Sequence, residues 1–152
     1  TWSRQAITEA ERFGTVSVPF SSRDDGYRSV PKAGEYEVPA GTRYLHYTSN
    51  NTVAGTQFHA TPNTSLPLIA DLSSDICSRK IDVARHAVIY AGAQKNLGPS
   101  GVTAVILSPW AVARSAAVLA AFASVNQRFK SAWIFVPVSR ASRLHAHVSD
   151  VA

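Results

Sequence analysis

Four short apolar runs, each closed by polar or turn residues, constrain this chain more than any other feature. Arg43-Tyr44-Leu45-His46-Tyr47 gives way to Ser49-Asn50-Asn51-Thr52. Leu66-Pro67-Leu68-Ile69-Ala70 stops at Asp71. His86-Ala87-Val88-Ile89-Tyr90 runs into Ala91-Gly92-Ala93-Gln94-Lys95-Asn96, and Gly101 to Leu107 ends at Ser108-Pro109. Short continuous runs of this kind suit strands buried on both faces, and the stretches between them are long enough for crossovers. The fold class implied is α/β with a mainly parallel sheet, its strands near residues 43–48, 66–70, 86–91 and 102–107.

The rest of the chain fits around those runs. Ala6, Ala10 and Phe13 are spaced like one face of a helix, so Ile7 to Phe13 reads as a helix end, with Gly14 in the usual C-terminal place. Thr15 to Phe20 alternates like a strand, and Ser21 to Gly41 is a polar excursion with little regular structure. A length of 152 residues is that of one domain with a real core. The single cysteine, Cys77, excludes an internal disulfide and suits a reducing, cytoplasmic setting. The start lacks the apolar segment of a signal peptide, and the longest apolar-rich run, Ala116 to Val125, falls short of the ~20 residues that span a bilayer. With no methionine, the sequence reads as a piece of something longer. His46 and His59 lack metal-ligand company, so no metal is expected. The net charge of +5 is uneven: residues 1–106 hold ten Lys/Arg against nine Asp/Glu, and residues 107–152 hold five against one. No aromatic-basic stripe accompanies that excess, which argues against a nucleic-acid partner.

In open α/β sheets ligands bind beyond the carboxyl ends of the strands. That rule gathers Asn51/Thr52, Asp71 and Gln94/Lys95 on one rim. A carboxylate can keep a pyridine nitrogen protonated, a lysine amine can form an imine with an aldehyde, and hydroxyl and amide groups can hold ring and phosphate oxygens. These are the parts a protein supplies to pyridoxal 5'-phosphate. Each residue also has a plainer reading. Lys95 taken alone suits a solvated surface position, Asp71 followed by Ser73 and Ser74 suits a helix cap, and Trp2 suits packing.

The order of the motifs separates these readings. Tyr90-Ala91-Gly92-Ala93-Gln94-Lys95-Asn96-Leu97-Gly98-Pro99-Ser100-Gly101 resembles the lysine motif of phosphoserine aminotransferases. Ala70-Asp71-Leu72-Ser73-Ser74-Asp75 with Ser78-Arg79, and Tyr44 to Thr52 with Gly55 and Phe58, resemble the segments ahead of it. Trp2-Ser3 with Ala6, Glu9 and Ala10 is similar to the family's tryptophan-bearing helix start, so the resemblance runs from Trp2 to about Ile106. It implies an incomplete large, cofactor-binding domain of a pyridoxal-phosphate-dependent transferase over residues 1–106. By that resemblance Lys95 is the Schiff-base lysine, Asp71 partners the pyridinium nitrogen and Thr52 approaches the ring's 3-oxygen. Gln94 holds the cofactor phosphate and Trp2 stacks on the ring.

The reaction implied is transfer of the amino group of glutamate to 3-phosphohydroxypyruvate. Its products are O-phosphoserine and 2-oxoglutarate, in serine biosynthesis and in some bacteria also in pyridoxine biosynthesis, by a cytoplasmic homodimer with no nucleic-acid or membrane partner. Departures limit it. Lys80 and His86 stand where the family more often has proline and an aromatic residue. Residues 107–152 show no family match and are expected to be a divergent or frameshifted tail, helical in spacing from Trp110 to Phe129 and strand-like from Ala132 to Val138. The chain alone is expected to be inactive or nearly so; the alternatives are a truncated, non-catalytic binding relative or a member of another pyridoxal-phosphate aminotransferase subgroup.

Overall fold

The computed structural model describes residues 2–114 in full and residues 132–137 as backbone. In chain order the elements are α1 (Trp2–Ala10), β1 (Leu45–Thr48), β2 (Asn50–Asn51), β3 (Thr56–Gln57), β4 (Leu68–Asp71), β5 (His86–Gly92), β6 (Val102–Leu107), α2 (Pro109–Ala113) and β7 (Ala132–Pro137). Single 3-10 turns lie at Arg23–Asp25 and Val83–Arg85. Five strands form one sheet in the order β1-β4-β5-β6-β7. Neighbours pair in parallel except β5 and β6, which are antiparallel. The sheet is therefore mainly parallel, as expected, with one reversal that the apolar runs do not reveal. The reason lies in the connection: Ala93 to Gly101 is too short for the dozen or so residues of a parallel crossover, so the chain folds back on itself.

Alternation along the strands sorts the side chains onto two faces. Leu45 and Tyr47 from β1, Leu68 and Ala70 from β4, and Ile89 and Ala91 from β5 form one buried cluster with Leu72 and Ile76. Val88, Val105, Leu107 and Ala111 cluster separately, with Ile69 and Tyr90 packed against them. Two-sided burial is why β5 reads as a continuous apolar run rather than an alternating one. His86 opens that strand where the family favours an aromatic ring. Its Nε2 accepts from the Tyr47 hydroxyl at 2.8 Å while Nδ1–H donates to the Asp82 carbonyl at 3.0 Å. Both ring nitrogens are satisfied in the neutral form, and burial pushes the imidazole below its ordinary value. The histidine thus packs on Tyr47 as an aromatic would.

Two local expectations are corrected. Thr15 to Phe20 is not a strand. No described strand lies beside it to take its hydrogen bonds, and Pro19 has no N–H to offer. The first helix starts at Trp2, as the resemblance implies, but ends at Ala10 rather than Phe13 in a tighter turn, with Phe13 N–H donating to Ala10 O at 2.9 Å. Gly14 is not left-handed, so it does not cap that helix in the usual way. Ser21 to Gly41 carries one 3-10 turn and little else, as its composition implies. Of the tail, β7 lies parallel to β6 from Ala132↔Val102 to Pro137↔Leu107. The remainder of Trp110 to Phe129 beyond Arg114 lies outside the described residues, as do residues 138–152.

Candidate active site

The site begins where β1 and β4 stop beside β5. Thr48 on β1, Asp71 on β4 and Tyr90 on β5 are register partners, so their side chains share a face at one rim of the sheet. Beyond it Trp2, Asp71, Gln94 and Lys95 line one open cleft, with Thr48, Asn50, Ser73 and Ser74 between them. Thr52 joins the group from the β2–β3 hairpin: Lys95 Nζ donates to Thr52 Oγ1 at 2.8 Å. The structure thus brings together all five residues singled out from the sequence. Lys95 and Asp71 lie on the same side of the sheet, as one shared cleft requires.

Each member is held by local chemistry. In the hairpin Asn51 Oδ1 accepts from the N–H groups of Val53 and Ala54, and Gly55 N–H, at φ +71°, closes onto Asn51 O at 2.8 Å. That tight turn fixes Thr52. Lys95 sits in a helical turn whose closing bonds run from Leu97 and Gly98 N–H to Ala93 O. Trp2 starts α1, which is tied to the rim by Ser3 Oγ donating to Thr48 Oγ1 at 2.9 Å. The indole is about half exposed, and Lys95 Nζ lies 5.5 Å from its ring centroid. A cation over an aromatic face at an exposed site is worth about 0.5–1 kcal/mol.

Asp71 answers both of its sequence readings. Oδ1 accepts from Ser73 N–H at 2.9 Å and from Ser73 Oγ–H at 2.6 Å, the cap-like role. Among the described residues Oδ2 accepts no hydrogen bond, and no cation pairs with the carboxylate within salt-bridge distance. On the same face His46 Nε2 and the Tyr90 hydroxyl lie 2.9 Å apart with their rings stacked. Burial lowers the histidine against the opposing pull of Asp71. Burial, with Asp71 adding to it, pushes the Tyr90 phenol far above its usual range. Both therefore stay neutral near pH 7 and give Asp71 no counter-charge. A half-buried carboxylate with a free oxygen and no cationic partner is a site made for a cation of another origin.

Sequence reasoning missed the layer beneath. Ser49 and Asp75 are buried, and the Ser49 hydroxyl donates to the Asp75 carboxylate. Asp75 Oδ2 also accepts from Gln57 Nε2 at 3.1 Å and lies 3.5 Å from Arg79, whose Nη2 donates to Phe58 O at 2.9 Å. This network fastens β1, the hairpin and the turn after β4 to one another. Ser49 falls in the polar segment that closes the first apolar run, so nothing in the sequence marked it as buried.

The sequence profile of the family described as aminotransferase class-V matches residues 1–121 of this chain, past Ile106. The chain is 46% identical over 130 residues to the phosphoserine aminotransferase of Shouchella clausii, covering 86% of this chain and 36% of that protein. It is 54% identical over 106 residues to the phosphoserine aminotransferase of Bacillus subtilis, covering 70% and 29%. Among solved structures it resembles phosphoserine aminotransferase from Bacillus circulans subsp. alkalophilus, with a TM-score of 0.64 and 48% identity over 68% of this chain and 29% of that one. It also resembles pyridoxal-phosphate-bound phosphoserine aminotransferase from Trichomonas vaginalis, with a TM-score of 0.61 and 31% identity over 68% and 30%. The chain spans about a third of the length of these relatives.

Proposed function

The chain belongs to the aminotransferase class-V family, and on that premise we propose that it is the cofactor-holding core of a phosphoserine aminotransferase that works with pyridoxal 5'-phosphate. The observation that carries the reading is the convergence on one cleft of Lys95, Thr52, Trp2 and an Asp71 that has no cationic partner among the described residues. That donor set fits the cofactor. Lys95 would hold it covalently through Nζ, and Asp71 would face the ring nitrogen. Thr52 would donate to the ring oxygen, Gln94 would bind the phosphate and Trp2 would cover the ring. When bound, the cofactor supplies an electron sink that lets an amino acid's Cα release its proton.

The chain's own residues then divide the remaining work. With the cofactor bound, the Asp71 carboxylate would favour the protonated form of its ring nitrogen. Thr52 accepts a hydrogen bond from the lysine amine, which keeps it at the rim, where it would move a proton at a substrate's Cα. Trp2 lines one side of the cleft and would cover a bound ring there. The substrates under this reading are glutamate as amino donor and 3-phosphohydroxypyruvate as acceptor, giving O-phospho-L-serine and 2-oxoglutarate. Both substrates are anions, and Lys95 is the only cation lining the cleft among the described residues. Orienting contacts of that kind contribute on the order of 7–11 kcal/mol to such barriers, so turnover by the 152-residue chain should be feeble. A cytoplasmic homodimer and a part in pyridoxine synthesis belong to the same proposal and rest on the family resemblance alone.

The test is covalent trapping. The chain is mixed with pyridoxal 5'-phosphate, reduced with borohydride, digested and mapped. Label on Lys95 supports the reading, and label mainly on Lys32, Lys80 or Lys130, the other lysines of the chain, overturns it.

A further inference from the structure

The strand ends leave one backbone group to account for. β4 stops at Asp71, opposite Tyr90, while β5 continues to Gly92. Leu72 N–H still reaches Tyr90 O at 2.9 Å, the last bond of the parallel ladder. The next would run from Gly92 N–H to Leu72 O. That carbonyl instead accepts from Asp75 and Ile76 N–H, because the chain has turned away. Gly92 N–H would be stranded beside the cleft, and a buried unpaired amide is costly. Ser73 Oγ takes its place and accepts from Gly92 N–H at 2.9 Å. The same hydroxyl donates to Asp71 Oδ1 at 2.6 Å.

We infer that Ser73 is a positioning residue, whose hydroxyl locks the Asp71 carboxylate to the strand bearing the lysine turn and so sets how Asp71 meets a cofactor ring nitrogen. The inference rests on the function proposed above. Its logic is geometric. A hydroxyl has one proton to give and lone pairs to receive with. Here the proton goes to the carboxylate and a lone pair takes the amide, so N–H, O–H and carboxylate form one polarised chain. Two donors from one residue, Ser73 N–H and Oγ–H, converge on Oδ1 and stop rotation of the carboxylate. Oδ2 is left for a ligand. Gly92 stands three positions before Lys95, so the chain of bonds also couples Asp71 to the base of the lysine turn. Gln94 crowds that point as well: a Cβ on Gly92 would come within 2.8 Å of its Oε1.

The experiment compares the 152-residue chain with Ser73→Ala and Ser73→Thr. Each is titrated with pyridoxal 5'-phosphate and with the analogue whose ring nitrogen is replaced by CH, and exchange of the Gly92 amide is followed by NMR. The parent should prefer the cofactor over the analogue. Ser73→Ala should shrink that preference by about tenfold or more, the range of one hydrogen bond to a charged group. Ser73→Thr, which keeps the hydroxyl, should restore it, and the Gly92 amide should exchange faster in Ser73→Ala alone. If Ser73→Ala weakens both ligands equally, the residue is merely structural and the inference fails. Unchanged exchange at Gly92 removes the bond chain and overturns it too. A parent that binds neither compound, or both alike, instead refutes the proposed pairing of Asp71 with the ring, and the inference falls with it.

Discussion

Replacing Asp75 by alanine should destabilise the chain more than replacing any single partner of that carboxylate. Asp75 is 4% exposed and gathers the Ser49 hydroxyl, the Gln57 amide and the Arg79 guanidinium. In Asp75→Ala the Ser49 hydroxyl can still turn to Asp71 O, 3.1 Å away, and Gln57 can turn toward water. Arg79 cannot compensate. Among the described residues its Nε is already buried without a partner, and Nη2 keeps only Phe58 O. Removing one member of a fully buried ion pair costs about 3–5 kcal/mol. The Arg79 side chain is 26% exposed, so solvent screens part of that charge and about 2–3 kcal/mol is the better figure. Ser49→Ala removes one bond to a carboxylate that keeps two other partners and should cost about 1–1.5 kcal/mol. At roughly 2–4 °C per kcal/mol for a chain of this size, Asp75→Ala should melt about 4–12 °C lower and Ser49→Ala about 2–6 °C lower. Thermal unfolding followed by far-ultraviolet circular dichroism measures both. An Asp75→Ala melting point equal to or above that of Ser49→Ala would refute the reasoning.

Stability should fall as pH drops below the ordinary histidine value of 6.5, because burial depresses both His46 and His86. The unfolded chain then binds more protons than the folded one, so stability rises with pH, by at most about 1.4 kcal/mol per unit per histidine. Urea midpoints at pH 7.5 and 5.5 test the sign, and His86→Phe should flatten the dependence. Equal midpoints for the parent would contradict it. Leu68 is 1% exposed at the centre of the larger core cluster, so Leu68→Ala should cost about 2–5 kcal/mol, read as a lower denaturant midpoint. A loss under about 1 kcal/mol would mean that the cluster is not packed as described. Gly101 has φ +89° with open space around a built Cβ. Gly101→Ala should therefore lose about 1–3 kcal/mol through backbone strain alone, and a neutral result would show that the turn relaxes.

The four apolar runs became β1, β4, β5 and β6 with small trims that have physical causes. Leu66 and Pro67 fall outside β4, since Pro67 has no N–H for a ladder, although its carbonyl still accepts from Leu45 N–H at 3.0 Å. That Trp2, Thr52, Asp71, Gln94 and Lys95 gather at one rim was legible because strand ends and family motifs are local properties of a sequence. What was not legible is pairing through space. The reversal of β6 depends on where the chain goes after Lys95. The bond from Gly92 to Ser73 depends on β4 stopping before β5. The Ser49–Asp75–Arg79 network joins segments whose contact no periodicity announces. Thr15 to Phe20 failed for the same reason, since an alternating pattern makes a strand only when a neighbour is present to pair with it.

The core itself determines where the chemistry sits. Leu68 and Ala70 face one cluster while Ile69 and Asp71 face the other side. A one-residue slip of β4 against β1 and β5 would exchange these faces. It would drive Asp71 into the apolar cluster beneath Tyr47 and expose Leu68, forfeiting about 1.5–3 kcal/mol for the leucine alone and stranding a carboxylate among hydrocarbons. Packing therefore enforces the one register that sets Asp71 on the rim. The stagger of the strand ends then does the rest. β5 overshoots β4 as far as Gly92 and carries the Ala93–Gly98 turn past the rim, from which Lys95 reaches Thr52. Burial of a few aliphatic side chains in this way fixes the separation of a lysine and a carboxylate that never touch, and a ligand with an aldehyde at one end of a ring and a basic nitrogen at the other would meet both.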